Sequence, residues 1–431
     1  MPARLRPPFV EAPLSSRTSI REGAPSRRRT ADQGCSAWSP RLIPLSHESA
    51  RGPTPNNNRL SSGCPPRPQG VDVTVSTAPL VLPHGPAWSN RFALAALTNQ
   101  QSAVDGRLRD DEYRWLVRRA HGGFGMVRTC ATHVSPEGQV FPGQLGIYSD
   151  DHLPGLARLA RGVRDGGAAA IVQLHHGGRR ALPALTGRPV ACPYTHAPSG
   201  AVRMSEKQIG RAVGDFVAAA VRAETAGFDG VEVHGAHGYL LAQFLDGTNN
   251  TRTDGYGGSL TDRTRVLLEV LSGIRSATGP DFQVGLRLST ERQGIVLAEA
   301  RVTAAEVLAS GLIDFLDLSL WDAFKGPAEP GYDGWLLDHF TDLPRHGVAL
   351  GAAGGIRSAA QTHLLLDRGL DYVSVGTAAI IHHDFPRRVT ADPQFRTCPI
   401  PIPREALAAE DVGPRFIDYL AAGWDDFVAT A

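Results

Sequence analysis

The stretch GVEVHGAHGYLLAQFLDGTNNTRTDGYGGS, residues 230–259, decides how the rest of the chain is read. It opens on the apolar run Gly230-Val231-Glu232-Val233, which predicts a buried strand. His234 closes that strand, and His237 and Tyr239 follow at once. Imidazoles and a phenol at the C-terminal end of a strand form the kind of polar cluster where α/β barrels do their chemistry. The set offers two donors for an anionic oxygen and one acid for a proton. H-x-x-H is also a metal half-site, but no Asp, Glu or Cys pattern supports a metal here. Asn249, Arg252, Asp254, Tyr256 and Gly257-Gly258 are expected to order the following loop, or to form a plain surface turn.

Outward from this segment, short apolar runs alternate with amphipathic ones. Strands are expected at Phe92–Leu97, Met126–Thr132, Ala168–Leu174, Gly230–His234, Gln283–Leu288, Phe315–Ser319, Val348–Ala352 and Tyr372–Val375. Helices are expected at Asp110–His121, His152–Asp165, Ser205–Ala226, Asp262–Ala277, Thr303–Ala309, Leu336–His346 and Ser358–Arg368. Ser205 and Thr261 supply start signals, and Gly227, Gly279, Gly311, Gly347 and Gly369 sit where a left-handed cap is wanted. Alternation implies a parallel sheet, and eight strands close a (β/α)8 TIM barrel. The competing doubly wound sheet lacks its G-x-G-x-x-G turn after the first strand.

A barrel gathers its strand ends on one face. Thr98, Gln173, His234 and Arg287 end the first, third, fourth and fifth strands. The seventh leads into Gly354-Gly355 and the eighth into Gly376-Thr377. Two glycine-rich loops at those positions suit a phosphate, because backbone N–H groups can approach it closely; the plainer reading is two tight turns. A guanidinium such as Arg287 in a buried strand needs an anionic ligand or a structural ion pair. Gln173 could read the edge of a heterocycle.

Composition sets the bounds. The 431 residues carry a net charge of +1 and 42% hydrophobic residues, so no global charge points to nucleic acid or a membrane surface. Residues 1–70 hold 11 Arg, no Lys, 4 acidic residues and 12 Pro, a composition that cannot bury enough surface to fold. A disordered extension over 1–75 and a folded domain over 76–431 are therefore expected. The extension also suits an over-extended translation start, a transit peptide or a basic arm. Cys35, Cys64, Cys130, Cys192 and Cys398 form no C-x-x-C pair, which disfavours an iron–sulfur cluster or a zinc ribbon. A cytoplasmic setting is the default, with no apolar run near the ~20 residues of a membrane span. A homo-oligomer is possible, and nothing in the chain specifies one.

The motifs SNRFALAALT (89–98), VSPEGQ (134–139), QLHHGGR (173–179), HGAHGYLLAQFL (234–245), NNTRTDGYGGS (249–259), VGLRLS (284–289), GAAGGI (351–356) and VSVG (373–376) together resemble the Old Yellow Enzyme family of FMN-dependent oxidoreductases. The resemblance covers roughly residues 85–390. It implies that Ala96, Leu97 and Thr98 lie along FMN, that Ala131 packs at its ring, and that Gln173 and Arg287 bond its pyrimidine side. It implies that Gly354, Gly355, Gly376 and Thr377 flank the phosphate, and that His234 and His237 bind a substrate carbonyl while Tyr239 donates a proton. The implied reaction is reduction of an electrophilic alkene, a small molecule, with NADH or NADPH as hydride donor. Trp321 and Phe324 are expected to wall the pocket or to pack. Three departures stand out: Ala96 for the family's proline, Thr377 for its phosphate-side arginine, and Asp246-Gly247 for its Ser-Pro.

Two rivals remain. Lys325 after the sixth strand would suit a Schiff-base aldolase, although Ala323-Phe324-Lys325-Gly326-Pro327 has the look of a loop. Thr377 would suit a flavin-binding protein with impaired turnover.

Overall fold

The computed structural model describes residues 74–424 and 426–430. The expected extension lies outside the described residues except for its last two positions, which begin a one-turn helix, Thr74–Thr77. Eight parallel strands follow: β1 Phe92–Leu94, β2 Met126–His133, β3 Ala169–His175, β4 Gly230–Gly235, β5 Gln283–Ser289, β6 Phe315–Ser319, β7 Ala349–Ala353 and β8 Tyr372–Val375. They pair in chain order, and β1 joins both β2 and β8, so the sheet closes. The expected TIM barrel is present. Helices cover the outside of the barrel and side chains fill its interior, so the strands are buried on both faces almost throughout, which is why they read as near-continuous apolar runs.

Helix ends follow local chemistry. Ser205 accepts from the Gln208 backbone N–H, and the Gln208 side chain returns the bond, closing a capping box on helix Glu206–Thr225. Ser259, two residues before the expected Thr261, caps helix Leu260–Ala277 by accepting from Asp262. Gly227, Gly311, Gly347 and Gly369 have positive φ as expected; Gly279 does not, because Thr278 ends its helix in extended backbone. The helix expected from Thr303 starts at Leu297, whose side chain extends the buried stripe through Ala300 and Ala304. The one expected over Leu336–His346 shrinks to Asp338–Thr341, since Pro344 has no N–H and His346 turns left-handed.

The barrel interior has three levels. At the N-terminal floor Trp88 meets Phe315 and Tyr372 edge-on, with ring centroids 5.3 and 5.0 Å away. Its indole N–H donates to Gln283 Oε1 at 3.0 Å. Above the floor lies a buried ionic layer. Arg128 donates to Glu232, to Asp317 at 2.9 Å and to Ser374 at 3.0 Å, and all four are sealed from solvent. Burial works against the Arg128 charge, yet Asp317 and Glu232 raise its pKa above the ordinary value. The third level is the mouth. Among the described residues no helix is long and apolar enough to cross a membrane.

Candidate active site

β4 delivers His234 to the mouth, and the chain then reverses within four residues. The reversal uses two left-handed positions, His237 at φ +61° and Gly238 at φ +64°. Such backbone costs a non-glycine residue about 1–3 kcal/mol and needs local ties to hold it. His237 has three. Its N–H donates to Ser289 Oγ at 2.9 Å, its carbonyl accepts from Arg180 at 2.6 Å, and its Nε2 lies 2.6 Å from Ser319 Oγ. The turn places Tyr239 at the start of helix Leu240–Leu245, with its ring centroid 5.3 Å from His234.

His234 and His237 meet directly, Nε2 to Nδ1, at 3.2 Å. One imidazole therefore donates to the other. Burial pushes both pKa values well below the usual histidine range, with His237 adding to the effect on His234 and Arg287 and Arg180 adding to that on His237. Both rings are neutral at neutral pH, each with one N–H to give. Among the described residues His234 Nδ1 is buried without a partner.

A third imidazole, His175 at the end of β3, lies 4.3 Å from the Tyr239 ring and 5.5 Å from His234. Gln144 fixes its tautomer. The Gln144 amide accepts from Val140 N and donates to Ala131 O, so its NH2 group faces His175 Nδ1 at 3.2 Å. His175 Nδ1 accepts, and the proton sits on Nε2, which is buried and unpaired. In the sequence His175 is one residue of the motif QLHHGGR, with no signal of its own. Its position beside Tyr239 depends on the pairing of β3 with β4 and could not be read from spacing.

The residues expected along the heterocycle converge on the same end. The β1 ladder stops at Leu94, three residues earlier than expected, although Ala95 N still bonds Val375 O. Ala96, Leu97 and Thr98 are thus released from the sheet and half-buried at the rim. Gln173 donates to Glu232 at 2.7 Å. Arg287 stands 3.2 Å from Asp317 and reaches Ala96 O at 3.5 Å. The structural ion pair considered for Arg287 is therefore present, and it ties the rim to the ionic layer through Asp317. Ala131 pairs with Gln173 across β2 and β3, beside an irregularity in β2.

The glycines divide into two kinds. A Cβ on Gly354 would lie 2.7 Å from Ala323 N, and Gly355 has φ +69°, so the chain's own packing explains both. Gly376 is different. A Cβ there would meet only Leu97 and Ala95 side chains at 3.5 Å or more, which is ordinary contact. Among the described residues no neighbouring atom excludes a Cβ at 376, whereas close approach of a bound phosphate would. Gly376 leads directly into Thr377, the first residue of helix Thr377–Ile381. The rim thus fits a flat heterocycle with a phosphate tail.

Lys325 is 72% exposed and paired with Asp322 at 3.2 Å, in a loop rather than at a strand end, which removes the basis for a Schiff base. Trp321 has φ +59°, is 41% exposed and sits 6.1 Å from His237; Phe324 packs on Trp335 instead. Tyr419, on the C-terminal helix Pro414–Gly423, stacks on Phe416, and burial pushes its phenol up, with Tyr239 adding to the effect. It lies 180 residues from Tyr239 in the chain, and no local pattern announces it.

A family model described as the NADH:flavin oxidoreductase / NADH oxidase family matches residues 85–394. The probable NADH-dependent flavin oxidoreductase YqiG of Bacillus subtilis is 33% identical, over 70% of this chain and 84% of that protein. An NADPH dehydrogenase of Halalkalibacterium halodurans is also 33% identical, over 72% of this chain and 92% of that protein. The solved Old Yellow Enzyme homologue of Zymomonas mobilis superposes with a TM-score of 0.66 at 25% identity, covering 77% of this chain and 96% of that one. The chain belongs to this flavin oxidoreductase family, that of the Old Yellow Enzymes. It is an oxidoreductase whose cofactors are FMN and a reduced nicotinamide, NADH or NADPH.

Proposed function

We propose that this enzyme uses NAD(P)H to reduce the C=C bond of an activated alkene, an α,β-unsaturated carbonyl or similar small molecule. The folded part acts as a single FMN-binding domain over 76–431. The observation that carries the reading is the cluster of two neutral imidazoles and a phenol, His234, His237 and Tyr239, at one strand end.

Ala96, Leu97, Thr98 and Ala131 flank the heterocycle, Gln173 and Arg287 bond its polar edge, and the backbone at Gly354, Gly355, Gly376 and Thr377 holds the phosphate. When bound, FMN supplies the hydride that reaches the β-carbon of the alkene, drawn from NAD(P)H. The protein's own residues do the rest. The substrate carbonyl oxygen enters between His234 and His237, replaces their mutual bond, and takes one N–H from each, the ring that had accepted shifting its proton to the nitrogen that faces the oxygen. Because both rings are neutral, these are preorganised dipoles that gain strength as enolate charge builds on the oxygen. Loss of one such donor typically costs about 3 kcal/mol. Tyr239 gives its phenolic proton to the α-carbon and recovers it from solvent. Trp321 walls the open side.

The test is a stopped-flow experiment on the yellow holoprotein. NADPH should bleach it, and cyclohexenone should restore the colour. In His234→Ala/His237→Ala the bleaching should persist while reoxidation by the enone collapses. Unchanged reoxidation in that variant would exclude the imidazole pocket.

A further inference from the structure

Four guanidinium groups stand near the His234, His237 and Tyr239 cluster, and three are already answered. Arg287 pairs with Asp317, Arg292 with Glu291 at 3.5 Å, and Arg179 reaches Asp246 through the Tyr194 hydroxyl. Arg180 is the exception. Among the described residues no carboxylate lies within 4.0 Å of it. Its side chain is nevertheless fixed: Nη1 donates to the His237 carbonyl at 2.6 Å, and the guanidinium carbon sits 4.5 Å over the Tyr239 ring. It is exposed at the rim, with its guanidinium over the ring of Tyr239, the proposed proton donor. Its charge is felt at all three imidazoles, lowering His175, His234 and His237 alike after burial. Those rings are neutral, and the ionic layer below balances Arg128 and Arg287 against Glu232 and Asp317. The mouth is left with a net positive charge beside the proton donor.

We propose that Arg180 forms an oxyanion-reading subsite, so that a molecule processed in this mouth carries a carboxylate or phosphate about one residue's reach from its reacting carbons. The inference rests on the alkene-reductase reading and deepens it by naming a charge class. The oxyanion has two sources. It is a carboxylate on the conjugated alkene, or a phosphate of the nicotinamide donor; both want a planar fork of N–H donors.

Arg180→Gln removes the charge and keeps an amide able to donate to the His237 carbonyl, and Arg180→Lys restores the charge. Reoxidation by a carboxylate-bearing enone is compared with that by a neutral enone of similar shape. Flavin bleaching by NADPH is compared with bleaching by an uncharged N-alkyl dihydronicotinamide. A charge-assisted contact predicts that one of the two charged-to-neutral preference ratios in kcat/KM falls about 10-fold or more in Arg180→Gln and recovers in Arg180→Lys. A fall in the first ratio assigns the oxyanion to the alkene, and a fall in the second assigns it to the donor. Both ratios unchanged would overturn the proposal. Benzoate binding to the full-chain holoprotein, followed by calorimetry, supplies a readout independent of turnover. Arg180→Gln should weaken it about 10-fold, and equal affinity would overturn the subsite even if the native protein reduced no enone. Native protein that fails with neutral alkenes but binds benzoate through Arg180 would instead sink the alkene-reductase reading alone.

Discussion

At the floor of the barrel Trp88 packs edge-on against Phe315 and Tyr372, and Gln283 takes its only polar hydrogen. At the mouth, among the described residues, His175 and His234 are buried with unpaired ring nitrogens, His237 is held in left-handed backbone, and Arg180 has no carboxylate within 4.0 Å. The same eight strands supply both ends. The difference shows how the molecule separates stability from reactivity. Edge-to-face aromatics and a satisfied indole lower the energy of the folded chain. Unpaired donors and strained backbone raise it, and those at the mouth stand where a ligand can meet them. The ionic layer of Arg128, Glu232, Asp317 and Ser374 separates the two.

The comparison can be broken most sharply at the mouth. His234→Ala/His237→Ala should lower the rate of enone-dependent reoxidation by about 10³-fold or more, with the protein still yellow and its denaturation midpoint little changed. Stopped-flow spectroscopy and urea titration on the same sample check both halves. Trp88→Ala is the mirror image. It should cost about 3–5 kcal/mol of stability by urea titration, while turnover per folded molecule stays near native. A large loss of turnover in folded Trp88→Ala would show that the two ends are not separable.

The ionic layer should behave as core. Asp317→Asn leaves Arg128 and Arg287 short of one carboxylate and should destabilise by about 3–5 kcal/mol. Tyr239→Phe should slow reoxidation by about 10²-fold and leave bleaching by NADPH nearly unchanged. Equal slowing of both steps would remove Tyr239 as the acid.

Acid should act through the mouth. Burial lowers the pKa of His175, His234 and His237, and brings His133 and His176 down to about 4. An unfolded histidine protonates near pH 6.5, so between that pH and the folded value the unfolded chain binds protons that the native one refuses. Stability is complete above pH 6.5 and is lost as pH falls, by about 1.4 kcal/mol per such imidazole at pH 5.5. His175→Gln should flatten the fall in urea midpoint between pH 7.5 and 5.5, and an identical slope would remove His175 from the set. The smallest effect is expected at Gly376→Ala. Apo stability should move by less than about 0.5 kcal/mol, because the added Cβ meets no backbone, whereas FMN affinity should drop about tenfold.

Much of this was legible in the chain. Strands buried on both sides must be apolar, so each appeared as a short hydrophobic run, and left-handed helix ends marked themselves with glycine. Helix Asp110–His121 falls where the amphipathic pattern put it. The ionic layer escaped, although its trace was present: Arg128, Glu232 and Asp317 each interrupt an apolar run, as in Val231-Glu232-Val233 and Leu316-Asp317-Leu318. A lone charge inside a buried strand demands a partner on another strand.

By itself the sequence determined the alternation, the closed count of strands and the identity of the groups at their ends, because periodicity and turn chemistry are local properties. Only the tertiary structure decided that His234 and His237 bond each other, that Gln144 fixes the His175 tautomer, and that Arg180, held over Tyr239, has no carboxylate within 4.0 Å among the described residues. Those relations join residues whose separation along the chain carries no information about their distance. They are set by strand register and by the way barrel closure brings eight strand ends onto one rim.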